Sequence, residues 1–530
     1  MTEKKINLTQ LPKGWVWTTI DSILSTLESG GRPKGGVREV KEGVPSIGGE
    51  HLLYSGRFDF SRIRYIPMGF YQGMTRGKVL RDDILVVKDG ATTGKTAFVS
   101  DNFPFSEAAV NEHVFILRVP KKYVEPRYLF FWMQSPFGQR CVKDNFQGTA
   151  QGGINSYFVQ NSNFPLAPFP GQRHIVLKIE ELFAYLDAGV ERLRKVEAQL
   201  KRYRQAVLKY AFEGKLTEEW RKTHKDLIEP APALLQCILQ DRRAKWEGQH
   251  FARMKGKGIA PKDDSWKKKY KEPTSPDITN LPELPEGWTW TTVDQLAWSV
   301  KDGPHYSPEY VDNGIPFITG GNVRPSGVDF DSAKKISREL YRRFSERCKP
   351  ETGDILYTKG GTTGIARVNT YSLEFSVWVH VAVLKLAGPI EPFYVQHALN
   401  SPFCYEQAQR FTHGVGNQDL GLTRMIRIVV SLPPLVEQKE INERIDRLQS
   451  IADKVERIVE INFRYAEQLR QIILRDAFLG RLVSQDPGDE PAEKLLQRIR
   501  EEKAKSEDEK GKNRKKGIKP KQLELSTYVE

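Results

Sequence analysis

The chain carries one long heptad pattern twice, and this duplication restricts its folds more than any other feature. In the stretch 168–216 the register runs Ile175, Ile179, Leu182, Leu186, Gly189, Leu193, Val196, Leu200, Tyr203, Val207, Tyr210. Steps of four and three alternate without a slip, the spacing of a coiled-coil seam. The register returns 266 residues on as Ile441, Ile445, Leu448, Ala452, Val455, Val459, Asn462, Ala466, Leu469, Ile473, Asp476. Each run starts after a proline, Pro170 or Pro434, where a missing N–H costs a helix little. Each closes on one signature, Ala-Phe-Glu-Gly-Lys-Leu (211–216) or Ala-Phe-Leu-Gly-Arg-Leu (477–482). Gly214 and Gly480 stand where a left-handed cap belongs. The spacing predicts two rods of about 45 residues, roughly 65 Å at ~1.5 Å per residue.

A single rod cannot bury such a stripe. Either two chains pair, or the two copies pack on each other within one chain. The second arrangement is favoured, since a matched seam is present at high effective concentration. Gly189, Asn462 and Asp476 weaken the seam, and polar residues at such positions tend to fix register at some cost in stability.

The remainder is duplicated too. Leu-Pro-Lys-Gly-Trp-Val-Trp-Thr-Thr (11–19) returns as Leu-Pro-Glu-Gly-Trp-Thr-Trp-Thr-Thr (284–292), 273 residues later. Asp354-Ile-Leu-Tyr-Thr-Lys matches the stretch 83–88, and His380 matches His113. Glu391-Pro392 and Ser401-Pro402 repeat Glu125-Pro126 and Ser135-Pro136. Even Leu-Leu-Gln-x-Ile recurs, at 234–238 and 495–499. The order is globe, rod, connector, globe, rod, tail. Boundaries fall at 1–167, 168–222, 223–280, 281–432, 433–482 and 483–530. Antiparallel rods would set the globes at opposite ends about a pseudo-twofold axis. The expected class is α+β: two mixed globes separated by two long antiparallel coiled-coil helices.

Within the first globe a short helix is expected over 20–27, strands near 44–47, 84–87, 97–100 and 113–119, and a helix over 126–143. The connector should be helical over 231–246, then exposed and mobile through its lysine-rich 265–276. The Lys/Glu-rich tail from Ser506 reads as disordered.

A length of 530 residues suits three or four domains, and 39% hydrophobic residues suffice for real cores. No run approaches the length of a membrane helix, and the start lacks a signal-peptide core, so a cytoplasmic protein with no membrane partner is expected. Cys141, Cys237, Cys348 and Cys404 are scattered, against a zinc site or a disulfide framework. A net charge of +14 favours a polyanionic partner.

The stretch Gly-Ala-Thr-Thr-Gly-Lys-Thr (90–96) resembles a phosphate-binding loop but has three residues between its glycines where four are needed. Its counterpart, Lys-Gly-Gly-Thr-Thr-Gly-Ile (359–365), lacks the lysine after the second glycine. An NTPase reading is therefore weaker than a hairpin turn, structural or offering Thr92, Thr93, Thr362 and Thr363 to DNA phosphates. The loop 30–36, with Arg32 and Lys34, and the loop 301–308, with Lys301, His305 and Tyr306, occupy equivalent places; both suit a nucleic-acid backbone, although ordinary turns look alike. The loops 147–155 and 414–418 carry Gln147, Thr149, Gln151, Asn417 and Gln418, whose amides could read adenine edges in a major groove. No methylation motif, cofactor fingerprint, nuclease core or metal-spaced histidine cluster is present, so no catalytic or metal-ligating residues are assigned.

In this order and duplication, the motifs resemble the specificity subunit of a type I restriction–modification enzyme, over nearly the whole chain. The resemblance rests on Leu-Pro-x-Gly-Trp, on Gly-Asp-Ile-Leu (353–356, with Asp82 replacing the glycine in the first copy), on Leu-Pro-Pro-Leu-x-Glu-Gln (432–438) and on the repeated Ala-Phe-x-Gly-x-Leu. The first copy departs from the lead-in, reading Leu-Ala-Pro-Phe-Pro-Gly-Gln (166–172). The resemblance implies a non-catalytic bacterial or archaeal defence protein whose globes each grip half of an asymmetric, bipartite double-stranded DNA site. It implies rods that set the spacing and dock two methyltransferase subunits, and two further motor–nuclease subunits. S-adenosylmethionine, ATP and magnesium would belong to those partners, and this chain would hold no cofactor. Arg32, Lys34, Lys88, Lys95 and Lys359 are the expected phosphate contacts, giving salt dependence without sequence information. On the rods, Arg192, Arg194, Arg457 and Arg464 are candidate partner contacts, if not merely a solvated face. A stand-alone nucleic-acid-binding scaffold is the alternative.

Overall fold

The structure, a computed structural model, describes residues 11–37, 40–148, 152–225, 229–259, 263–414 and 419–515. It divides into two units, one formed by 1–193 with 461–530 and the other by 194–460. Each long helix is divided between the units.

In the first unit, Thr26–Ser29, Val114–Arg118, Ile84–Val87 and Thr96–Phe98 form an antiparallel sheet in that order. A second sheet sets Val44–Ile47 between Arg64–Ile66 and Ala109–Val110, the latter parallel. Val16–Thr19 pairs with Asn163–Leu166. Ile84–Val87 is buried throughout because its alternate residues serve two cores. Ile84 and Val86 face the aromatic cluster around Trp132 and Tyr128, whereas Leu85 and Val87 face Ile47, Leu52 and Val110.

The second unit repeats these orders. Its sheets are Ala297–Asp302, Val381–Leu386, Ile355–Thr358, Ala366–Val368, and Lys334–Ile336, Ile315–Ile318, Ser376–Val377, with Thr289–Thr292 paired to Val429–Leu432. Registers agree as well: Ser29 faces Phe115 in the first sheet, and Asp302 faces Ala382 at the matching place in the other. Asp82 takes φ 68°, the left-handed conformation that Gly353 takes at 92°. A short polar side chain tolerates this region, which explains how aspartate replaces glycine there.

The long helices are Phe169–Phe212 and Leu435–Phe478, 44 residues each. Most of the expected seam turns inward, but Tyr203, Tyr210 and Leu469 are 39%, 54% and 45% exposed. Leu208 and Leu474 are buried near the helix ends instead. A straight helix drifts about 20° per heptad from a 3.5-residue repeat, so a seam extrapolated over about five heptads rotates away from its partner. Within the second unit the helices pair in antiparallel sense: Arg204 meets Asp453 and Glu456, each at 2.7 Å, and Arg444 donates to the Leu216 carbonyl at 2.7 Å. In the first unit Asp187 binds Arg470, whose guanidinium lies 4.7 Å from the Phe183 ring centre.

The first copy's altered lead-in has a structural counterpart. Glu437 is fully buried and accepts from Thr217 Oγ1 at 2.6 Å, Trp288 Nε1 at 2.8 Å and Arg221 Nε at 3.1 Å. The first copy has Gly171 in that place, and the indole of Trp15 donates instead to Gln485 at 2.7 Å.

Several local expectations shift. The short helix stops at Ile23, and Leu27 lies in a strand. The predicted helix over 126–143 is two, Pro126–Gln134 and Pro136–Asp144, because Pro136 starts a new one. The connector helix runs on through Gly256. Beyond it, Trp266 and Tyr270 anchor the lysine-rich piece, with Trp266 stacked 5.6 Å from His250 and Tyr270 5.3 Å from Trp246. The tail is helical over Ala492–Lys515, past the expected start of disorder.

Candidate nucleic-acid interface

In each globe three loops meet beyond one end of the four-stranded sheet. In the first they are 30–36, the hairpin 88–95 and the return 147–153. Asp89 bridges to Gly153, Gly90 donates its N–H to the Gly152 carbonyl at 3.0 Å, and Ile154 donates to Lys88 at 2.6 Å. The stretch 90–96 is a hairpin turn with Gly90 and Gly94 at φ 84° and 89°, followed by a strand rather than a helix. It has no helix N-terminus at which to hold a nucleotide phosphate.

A charge chain ties these loops. Arg32 Nε lies 3.1 Å from Glu112 Oε1, and His113 Nε2 lies 3.3 Å from the same oxygen. His113 Nδ1 is 2.6 Å from Asp89 Oδ1, and Lys88 Nζ is 3.6 Å from Asp89 Oδ2. Lys34 is exposed, and the Lys95 ammonium sits 4.8 Å from the centre of the Tyr54 ring. Thr92 is half-buried, and Thr93 Oγ1 donates to the Gly90 carbonyl at 2.7 Å, tightening the turn. Gln147 exposes its side chain, its backbone exchanging two 2.9 Å hydrogen bonds with Gly153. Thr149 and Gln151 lie outside the described residues. Beside Gly30 and Gly31 an open cavity of about 410 Å³ reaches Phe70, Met74 and Arg76.

The second globe gathers its loops differently. Lys301 is half-buried in a strand, His305 and Tyr306 are exposed, and Tyr306 meets Phe344 edge-on at 5.9 Å. Thr362 is exposed; Thr363 is buried and accepts from Gln409 Nε2 at 3.1 Å. Asn417 and Gln418 lie outside the described residues, between the bridged His413 and Asp419. Lys359 departs from the expected phosphate contact. Its side chain is 4% exposed and lies 3.3 Å from both Asp302 and Asp419, so its charge is spent inside the globe. Burial and the Lys359 charge together hold His380 below the usual histidine range.

The sequence reading passed over Asp89, Glu112, His113, Asp302, Arg347 and Asp419. Only His113 carried a signal, its match to His380. Two cysteines are inert as nucleophiles: burial pushes the Cys348 and Cys404 thiols up to about 12. Among the described residues no group of three or more His, Cys, Asp or Glu could hold a metal ion. Among the same residues no helix is long and apolar enough to cross a membrane.

Each globe thus gathers three loops at one end of its four-stranded sheet. Residues 285–462 match the family described as the type I restriction modification DNA specificity domain. The chain is 25% identical to the type I restriction enzyme EcoBI specificity subunit of Escherichia coli, over 97% of its length and 98% of that protein. It is 22% identical to the EcoKI specificity subunit of Escherichia coli strain K12, over 96% of its length and 99% of the relative. A chain from a solved structure on complex assembly and conformational transition of the type I R-M system matches with a TM-score of 0.54 at 16% identity, covering 89% of this chain and 99% of that one. That likeness is one of fold. Over nearly its whole length the chain is similar to type I restriction enzyme specificity subunits.

Proposed function

We propose that the chain is the DNA-reading subunit of a type I restriction–modification complex, non-catalytic itself. Residues 1–167 and 281–432 each read one half of a bipartite, asymmetric site. The two long helices, within 168–222 and 433–482, pack as an antiparallel coiled coil, relate the globes by a pseudo-twofold axis and set the spacing of the half-sites. Globes so spaced can meet major grooves about one turn, ~34 Å, apart on one face of the duplex. The observation that carries this reading is the shared strand order of the two globes, each ending in three loops at matching places.

The helices also dock two methyltransferase subunits, and two motor–nuclease subunits complete the assembly. In support, Ile451, Ile458, Tyr465 and Ile472 recur every seven positions on the second long helix and are 41–56% exposed. Adenine methylation in each half-site, with S-adenosylmethionine, ATP and magnesium, is the work of those partners. This chain brings no cofactor and acts on DNA in the cytoplasm.

Modified-base sequencing of DNA from cells carrying this chain and a type I methyltransferase subunit tests the proposal. A split motif methylated on adenine in both halves is expected. Methylation of one half alone would remove one globe from the reading, and no motif despite an expressed partner would overturn it.

A further inference from the structure

We propose that Asp302 and Lys359 are a positioning pair that fixes which bases the second globe accepts, an inference that rests on the DNA-reading function above. Asp302 ends a strand, and its side chain is 2% exposed. Its Oδ1 accepts from Arg347 Nη2 at 2.6 Å and faces His305 Nε2 at 3.4 Å. Its Oδ2 lies 3.3 Å from Lys359 Nζ, which reaches on to Asp419 Oδ1 at 3.3 Å. The backbone follows the same path: Leu420 donates its N–H to the Lys359 carbonyl at 2.7 Å, and Arg347 Nε donates to the Asp302 carbonyl at 3.1 Å. Two buried charges therefore join the loop 303–308, the hairpin 359–364 and the return of the loop 413–419.

Those loops contain every side chain that the sequence nominates for DNA contact in this globe except Lys301, which lies in the adjoining strand. The anchors of a loop decide where its side chains stand. A hydrogen bond to a base edge weakens steeply with misalignment, and a bidentate contact is worth about 1–3 kcal/mol of discrimination. An anchor that moves the loop thus changes base choice without touching a base.

The first globe shows that this wiring is not simply part of the scaffold. Ser29 stands where Asp302 does, Gly153 stands where Asp419 does, and the carboxylate that gathers the loops is Asp89. The place of Asp89 is taken by Gly360 in the second globe, where an added Cβ would lie 1.9 Å from His380 Nδ1. One scaffold holds two differently wired sets of loops.

The test compares Asp302→Asn, Lys359→Met, Lys359→Arg and the double variant Asp302→Asn/Lys359→Met, each co-purified as full chain with a methyltransferase subunit. Methylation rates are measured on duplexes carrying single mismatches in either half-site, and melting is followed in parallel. Lys359→Met takes the buried cation away from the Asp302 carboxylate and from the more exposed Asp419; the double variant removes the buried charges together and guards against simple misfolding. Discrimination within one half-site should fall by about tenfold or more, with the other half-site unchanged and partial recovery in Lys359→Arg. Equal loss in both half-sites, or undiminished discrimination in folded variants, would overturn the positioning role. If the wild-type chain marks no split motif, the DNA-reading function falls, and the pair with it.

Discussion

Gln438 Oε1 accepts the backbone N–H of Glu391 at 3.0 Å, while its Nε2 donates to the Pro433 carbonyl at 3.0 Å. Gln172 does the same for Glu125 and Ala167, each at 2.9 Å. Both glutamines are fully buried. Each fastens the first turn of a long helix to the residue that opens a globe helix, satisfying a donor that a helix start leaves free. Replacing Gln438 by alanine should cost about 1–3 kcal/mol, because buried polar partners are left unmade. Chemical denaturation followed by circular dichroism measures this, and Gln172→Ala should behave alike.

Gly303 has no room for a side chain. An added Cβ would lie 1.7 Å from the Val377 carbonyl oxygen, and at Gly30 the distance to Val110 is 1.6 Å. The clash is with backbone, so the loop must lift. Gly303→Ala is expected to lose roughly 1–3 kcal/mol of stability, as overpacked sites do. It should also relax reading in the second half-site, while Gly30→Ala relaxes the first; methylation of mismatched duplexes separates the two.

His397 supplies a pH dependence. It is 7% exposed, and burial aided by the Arg367 charge lowers its pKa to about 4, outweighing Asp446 at 3.8 Å. The unfolded chain binds that proton near pH 6.5, so stability is full above this value and falls as the pH drops toward 4. The loss should reach roughly 3 kcal/mol for a shift of this size. His397→Gln should flatten this limb in denaturation curves taken between pH 7 and pH 4.

Under the proposed DNA-reading function, Lys34 and Lys95 are phosphate contacts of the first globe. Removing either should lower the slope of log affinity against log salt by about 0.9 and leave half-site preference unchanged. Replacing Gln151 or Gln418 should do the reverse, relaxing one half-site at constant slope. Fluorescence anisotropy over a salt series distinguishes the two behaviours.

The helices were legible because a heptad is written in residue spacing, and burial follows spacing until the period drifts, at Tyr203, Tyr210 and Leu469. The hairpin 90–96 was legible because the count between its glycines excludes a nucleotide loop. Lys359 was not, since a lysine spells the same whether it faces solvent or a buried carboxylate. The gathering carboxylates escaped for another reason: Asp89 and Asp302 occupy different places in the two copies, so comparing the repeats aligns each with a residue of another kind.

The first unit draws on both ends of the chain, with Leu474, Ala477, Phe478, Leu495 and Ile499 in one core with Ile20, Tyr128 and Trp132. During synthesis at ~5–20 residues per second, the globe made first therefore waits roughly 15–60 s for the residues that complete its core. The second unit needs only 194–460 and can close while the ribosome is still working. Through that interval Tyr128 lacks the Phe478 ring that it later meets at 5.1 Å. The part of the molecule that is made first is finished last.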